Sequence, residues 1–229
     1  MSEPATTQPQ HAAFADGEAD AYFERNHAAG VRPADQSHGV AQAIKAISLP
    51  ESGRCLDLGG SAGALAATIS TLLPQWSFTI TDPSPTAAAA GKAAFPAFDF
   101  RVETAEALAA SNHGLYDLII VSAVFHWVDR TTLARVVANV DESLKDRGRL
   151  VIHDFDPAFP RMNSYKHRPG LHTYKQNYAA IFTSLGIYEL VYTRSEDAGS
   201  SANPADPYDR RWSTVVLQKT LHDRYGRFG

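Results

Sequence analysis

Arg54-Cys55-Leu56-Asp57-Leu58-Gly59-Gly60-Ser61-Ala62-Gly63 is a short apolar run that breaks on glycines. Residues 54–58 predict a buried strand, and Gly59-Gly60 a tight turn out of it. The Ala/Leu-rich stretch 62–73, stopped at Pro74, predicts a helix. A strand, a glycine turn and a helix make the first half of a βαβ unit. Glycine in such a turn lets a ligand approach the backbone without a Cβ in the way. The free N–H groups that open the helix favour an anionic group.

The alternation runs on downstream. Residues 77–81, 98–102, 116–122 and 149–153 read as strands, and 85–94, 105–110 and 131–144 as helices. Ser84 suits an N-cap and Pro85 the first helical position. The unbroken Leu118-Ile119-Ile120-Val121 predicts a strand covered on both faces. Strands alternating with helices argue for parallel pairing with right-handed crossovers. Two further strands, 188–193 and 212–218, are separated by a loop at 197–209 with no helix, so they pair antiparallel at the edge. Upstream, 16–29 and 37–47 read as helices, and 1–15 as a disordered tail. The expected fold is α/β, with a doubly wound Rossmann-like sheet that is mostly parallel and has an antiparallel C-terminal edge. One domain covers 16–229, with a helical lid at 16–50 and a substrate-pocket insertion at 156–185.

Composition narrows the function. With 44% hydrophobic and 20% charged residues in 229, the chain is not disordered. A net charge of −4 is not the basic footprint of a nucleic-acid binder. No apolar run approaches the roughly 18 residues of a membrane span. The first residues lack the cationic start and apolar core of a secretion signal. The lone Cys55 fits a reducing compartment. The expectation is a cytoplasmic monomer or homodimer with neither nucleic acid nor membrane as partner.

Ligands of an open α/β sheet bind beyond the carboxyl ends of its strands. There, Asp57 precedes the glycine turn, where it would neutralise an ammonium or sulfonium. Asp82 ends the second strand, where a carboxylate can accept from a ribose diol or simply cap the dipole of the next helix. The dinucleotide pattern Gly-x-Gly-x-x-Gly fails, because Ser61 and Ala64 hold the later glycine positions.

Together these features resemble the class I S-adenosylmethionine-dependent methyltransferases, from about Cys55 to the end of the chain. Asp57-x-Gly59-x-Ser61-x-Gly63 is similar to that family's first signature, with Ser61 in place of its middle glycine. Asp82, followed by Pro83, falls on the ribose-binding acid. Thr104-Ala105-Glu106 resembles the adenine segment, with Thr104 where the family carries an acid. Residues 116–122 resemble the fourth-strand motif, and Val124-Phe125-His126-Trp127 the short helix beside the methyl group. The two terminal strands match the family's closing antiparallel pair. The resemblance implies a seven-stranded methyltransferase fold and S-adenosylmethionine as cofactor. It assigns cofactor contacts to Asp57, Gly59, Gly60, Ser61, Gly63, Asp82, Pro83, Thr104, Ala105 and Ser122. Tyr22, with Phe23, Arg25 and Asn26, falls where similar enzymes lay a helix over the cofactor.

A hydroxyl or ammonium acceptor needs a base as the methyl arrives. His126 and His153, at the ends of strands four and five, are the catalytic candidates. Trp127, Tyr165, His167, His172, Tyr174 and Lys175 are the candidates for touching substrate. Asp154, Asp156, His167 and His172 match no metal-binding spacing, so no metal is expected. Such a mixture suits a small, partly polar acceptor methylated on oxygen or nitrogen. Two alternatives of the same architecture are a non-catalytic S-adenosylmethionine-binding or regulatory protein and a nicotinamide-dependent oxidoreductase. The missing dinucleotide glycines count against the second, and the charge counts against an RNA methyltransferase.

Overall fold

The computed structural model describes residues 9–27, 30–196 and 211–222. Its main sheet holds β1 (Gly53–Leu58), β2 (Trp76–Asp82), β3 (Asp99–Val102), β4 (Tyr116–Ser122) and β5 (Leu144–Phe155). A separate hairpin, β6 (Arg161–Ser164) and β7 (His172–Lys175), follows, and the main sheet closes with β8 (Tyr188–Glu196) and β9 (Trp212–Lys219). The sheet order is β3-β2-β1-β4-β5-β9-β8. β1 to β5 pair in parallel, and β9 lies antiparallel between β5 and β8. Strand order reverses at β1 and β4, which places the ligand crevice outside their carboxyl ends.

Successive side chains of a strand point to opposite faces, and the core divides accordingly. Leu56, Leu58, Ile119, Val121, Leu150 and Ile152 pack on one side with α7 (Leu133–Ser143) and α8 (Ala179–Ser184). Cys55, Leu118, Ile120 and Val151 pack on the other with α3 (Gly39–Ala46) and α4 (Ala64–Leu72). α5 (Pro85–Ala94) starts as read: the Ser84 hydroxyl accepts from Ala87 N, with Pro85 at the first helical position.

Three readings need correction. Residues 105–107 form a turn on the cavity side, not a helix; the helix is α6 (Ala110–His113). The insertion contains the β6–β7 hairpin, whose four-residue strands are too short to show a pattern in sequence. The tail of residues 1–15 is helical where described, as α1 (Gln10–Ala13) leading through a kink at Asp16-Gly17 into α2 (Ala19–His27). Gln10 is the physical reason. Its buried amide donates to Trp127 O (2.6 Å) and accepts from His172 N (2.7 Å). Residues 1–8, 28–29 and the expected loop at 197–209 lie outside the described residues.

Candidate active site

The turn after β1 is built from left-handed residues: Gly59 (φ +70°), Ser61 (φ 51°) and Gly63 (φ +76°). For serine this conformation costs on the order of 1 kcal/mol or more. A hydrogen bond compensates, from Ser61 N to Asp82 Oδ2 (2.9 Å). Ser84 N donates to Asp82 Oδ1 (2.9 Å). One carboxylate thus joins the β1 turn to the start of α5. Burial, offset in part by those two donors, pushes Asp82 up to about 6. A Cβ on Gly59 would stand 2.5 Å from Val124 Cγ2, so the turn has no room for a side chain.

Beside this turn, at the carboxyl ends of β1 to β4, lies a cavity of about 220 Å³. Of the residues expected to hold the cofactor, Gly59, Ser61, Asp82, Pro83, Thr104, Ala105, Ser122 and Tyr22 line it. Gly60 and Gly63 stand behind the wall and shape the turn. Asp57 is corrected: it is 1% exposed and lies under the turn, not in the cavity. It shares the face of Cys55 and accepts from Ala66 N at the start of α4, and among the described residues its Oδ2 has no hydrogen-bond partner. Burial and the neighbouring Asp82 raise Asp57 to about 7.

The cavity also has walls that the sequence reading missed. Glu103 stands just before Thr104-Ala105-Glu106, the segment already recognised and also on the wall, so the strand end itself was a usable signal. His11 and Phe14 come from the segment read as a tail. The roof is aromatic, with Phe14 and Tyr22 edge-on to Trp127 at 5.4 and 6.1 Å between ring centres. The roof is also anchored. Asp20 Oδ1 accepts from the Ser84 hydroxyl (2.5 Å) and Thr86 N (3.1 Å), which pins α2 to the start of α5.

Among the acceptor-side candidates, Trp127 alone is on the cavity wall. His126 is buried against Trp127, Phe155 and Trp212, and its Nδ1 stands 2.7 Å from Asp154 Oδ1. His153 is corrected. Strand parity turns it to the opposite face, that of Val151, where Nδ1 stands 2.8 Å from the Thr214 hydroxyl. Its ring lies 4.7 Å from His38 and stacks on Trp212. Burial, reinforced by His38, pulls His153 down to about 4. It does not face the cavity and cannot take a proton from a group there.

The remaining candidates lie on the hairpin segment outside the cavity wall. Tyr165 meets Trp127 edge-on at 4.8 Å, accepts from Arg25 Nη2 (2.7 Å) and neighbours His167. The guanidinium of Arg130 lies over the Tyr174 ring at 4.4 Å. The Lys175 ammonium lies over the Phe155 ring at 4.0 Å, and its side chain is buried. Tyr174 and Lys175 are thus packed into the protein. His172 meets the N-terminal segment through its backbone, and its ring lies 6.1 Å from Tyr174.

Residues 56–150 match the family model described as a methyltransferase domain. Together with the seven-stranded sheet, that match gives the chain a methyltransferase fold. Solved structures extend the likeness of this domain to its flanks. A 1,6-didemethyltoxoflavin-N1-methyltransferase from Burkholderia thailandensis, with 1,6-didemethyltoxoflavin and S-adenosylhomocysteine bound, aligns at TM-score 0.64 and 14% identity. The alignment covers 96% of this chain and 94% of that one. The N-methyltransferase NodS of Bradyrhizobium japonicum WM9, bound to S-adenosylhomocysteine, gives 0.55 and 18% over 73% and 78% of the two chains. The glycopeptide N-methyltransferase MtfA, with the same ligand, gives 0.58 and 13% over 88% and 97%. At such identities the likeness is one of fold. No curated protein sequence matches the chain. Among the described residues, no helix is long and apolar enough to cross a membrane.

Proposed function

We propose that the protein transfers a methyl group from S-adenosylmethionine to an oxygen or nitrogen of a small, partly polar molecule. One observation carries the reading. The Asp82 carboxylate, already fixed by two backbone donors, lies on the wall of a cavity that opens at the switch of strand order. A carboxylate has about four acceptor positions, so those two donors leave capacity for a ribose diol. The group fits. Gly59 and Ser61 offer a turn without bulk, and Phe14, Tyr22 and Trp127 form an apolar roof that excludes water. When bound, S-adenosylmethionine supplies an electrophilic methyl on a sulfonium, so the protein mainly positions the acceptor.

His126, whose ring lies beside Trp127 on the cavity side of the sheet although not on the cavity wall itself, is the base in this proposal. Asp154 holds its Nδ1, which directs Nε2 away from the carboxylate. Tyr165, His167 and His172, on the segment reaching Trp127, lie on the side from which an acceptor would approach. In the cell we place this chemistry in the cytoplasm, in a monomer or homodimer. The wide spread of acceptors in this fold, a toxoflavin precursor and a glycopeptide among them, supports a small molecule without naming it.

Calorimetry with S-adenosylhomocysteine and with NAD tests the cofactor assignment. Binding of the first alone is expected. Binding of NAD in its place would return the protein to the oxidoreductase alternative. Methyl transfer to a panel of phenols, amines and sugars then identifies the acceptor, and its absence across active cofactor binding favours a non-catalytic role.

A further inference from the structure

A second cavity, of about 320 Å³, lies at the amino ends of the strands, the opposite end of the sheet from the cofactor crevice. Leu49 and Pro50 ahead of β1, Asp117 of β4, and Asp146, Arg147 and Arg149 of β5 line it. The start of β5 is irregular here. Tyr116 pairs with Leu144 and Leu118 with Arg149, so residues 145–148 loop out of the ladder. Arg147 in that loop is left-handed (φ 62°), and a Cβ on Gly148 would stand 2.8 Å from Lys145 O. Such strain at a residue other than glycine gathers at functional sites.

The loop leaves one edge of a guanidinium unused. Arg149 Nη1 donates to Arg147 O (2.7 Å), whereas Nε is shielded from solvent and has no hydrogen-bond partner among the described residues. Burial holds the Arg149 guanidinium below its ordinary range, and no carboxylate offsets that burial. The acids nearby are engaged elsewhere. Both Asp117 oxygens lie 2.9 Å from the Lys145 ammonium, and Oδ2 also accepts from Arg54 N (2.9 Å). Asp146 Oδ1 accepts from Leu221 N (2.9 Å). A buried donor without an acceptor is rare. Nε with Nη2 is the edge that meets an oxyanion side-on, through two parallel hydrogen bonds.

We propose that this cavity binds a small oxyanion, the carboxylate or phosphate of a metabolite, on the Nε edge of Arg149. Arg147 adds positive charge, and Leu49 and Pro50 meet the apolar body of the ligand. Binding there pairs an otherwise uncompensated charge, so it raises stability by mass action. The site takes no part in the methyl-transfer reading, and it can be filled together with the cofactor crevice.

The test titrates the native protein with acetate and with inorganic phosphate, at an ionic strength held constant with chloride. The readout is the proton–nitrogen NMR signal of Arg149 Nε, assigned through its side-chain carbons to the backbone. That signal should shift and saturate with at least one of the two anions, and the tighter one identifies the ligand group as carboxylate or phosphate. The shift should survive saturating S-adenosylhomocysteine. Arg149→Lys keeps a charge but loses the two-point edge. It should weaken the anion by about 10- to 150-fold, read from the gain in thermal midpoint, and leave affinity for S-adenosylhomocysteine unchanged. A signal that moves no further than chloride moves it would mean an adventitious ion only and overturn the proposal. So would a shift abolished by S-adenosylhomocysteine, which would put the anion in the cofactor crevice, or native-like anion affinity in Arg149→Lys. The native titration needs no variant, so it decides the matter even if Arg149→Lys fails to fold.

Discussion

The two sides of the site lie at the same end of one sheet and are built in different ways. The cofactor side is made of backbone: left-handed Gly59, Ser61 and Gly63, and one carboxylate taking N–H groups from two turns. The acceptor side is made of long-range side-chain contacts, such as Gln10 with His172, Arg25 with Tyr165 and His126 with Asp154. Turn chemistry is local, so a glycine pattern announces it. A contact between residues separated by 140 or 162 positions leaves no mark in either segment.

The largest expected effect lies on the acceptor side. His126→Asn should lower turnover by about 10²- to 10⁴-fold, the usual worth of a general base, with unchanged affinity for S-adenosylhomocysteine. His153→Gln should keep near-native turnover, because that ring faces α3 and Thr214. Turnover of the two variants at saturating cofactor checks the assignment. A reversal between the two variants would reassign the base.

The same pair shows what was legible and what was not. His126 and His153 both lie at strand ends in the sequence, and the Asp154 and aromatic-rich loop that follow His153 favour it over His126. Parity was the missing step. Adjacent residues on a strand face opposite ways, so His153 and Asp154 could not both serve the same pocket. Asp57 illustrates the same point. It has the parity of Cys55, and that parity sets it beneath the turn, opposite in facing to Leu56 and Leu58. Asp82, by contrast, is the last residue of β2, where the strand gives way to a turn and parity no longer confines the side chain. The central strands were readable because their apolar runs, as in β1 and β4, are buried on both faces. Residues 9–15 were not, because they are held by contacts with distant segments, Gln10 with Trp127 and His172 and Arg168 with Ala13 O.

On the cofactor side the expected losses are smaller and fall on affinity. Removing the Asp82 carboxylate in Asp82→Ala should weaken S-adenosylhomocysteine by about 1.5–3 kcal/mol, roughly 10- to 150-fold. Asp82 is raised to about 6, so its ionised form is lost as pH falls through that value. Affinity should decline below about pH 6 in the native protein. The decline should be absent in Asp82→Asn, as calorimetry across pH 5 to 8 would show. A pH-independent native affinity would mean that the diol is held elsewhere.

Gln10 tests whether the two sides are independent at all. Its amide touches Trp127, on the cavity wall, and His172, on the hairpin. Gln10→Ala leaves two backbone groups without that partner, at a cost of about 1–3 kcal/mol if they stay buried. Affinity for S-adenosylhomocysteine and the Michaelis constant for the acceptor should both worsen, by several-fold each. Loss of one without the other would show that the N-terminal segment serves a single side.

The smallest effect concerns stability and not ligand, and it isolates the face of the sheet that takes no part in the site. His153, held at about 4 by burial and by His38, has a folded-state value below the roughly 6.5 of an unfolded chain. Burial lowers His38 in the same direction, although its neighbour Glu196 opposes the shift. Between those two values the unfolded chain binds the extra proton, so stability rises with pH across this window. It is complete above about pH 6.5 and lost as pH falls toward 4. At pH 5.5 the native protein should be roughly 1 kcal/mol less stable than at pH 7.5 on account of His153 alone. His153→Gln keeps a polar group beside the Thr214 hydroxyl and has no proton to gain, so its denaturation midpoint should vary less over the same interval. His126→Asn should leave this slope as it is, because His126 lies on the other face against Asp154. If His126→Asn flattens the slope and His153→Gln does not, the assignment of the two histidines to opposite faces of the sheet fails.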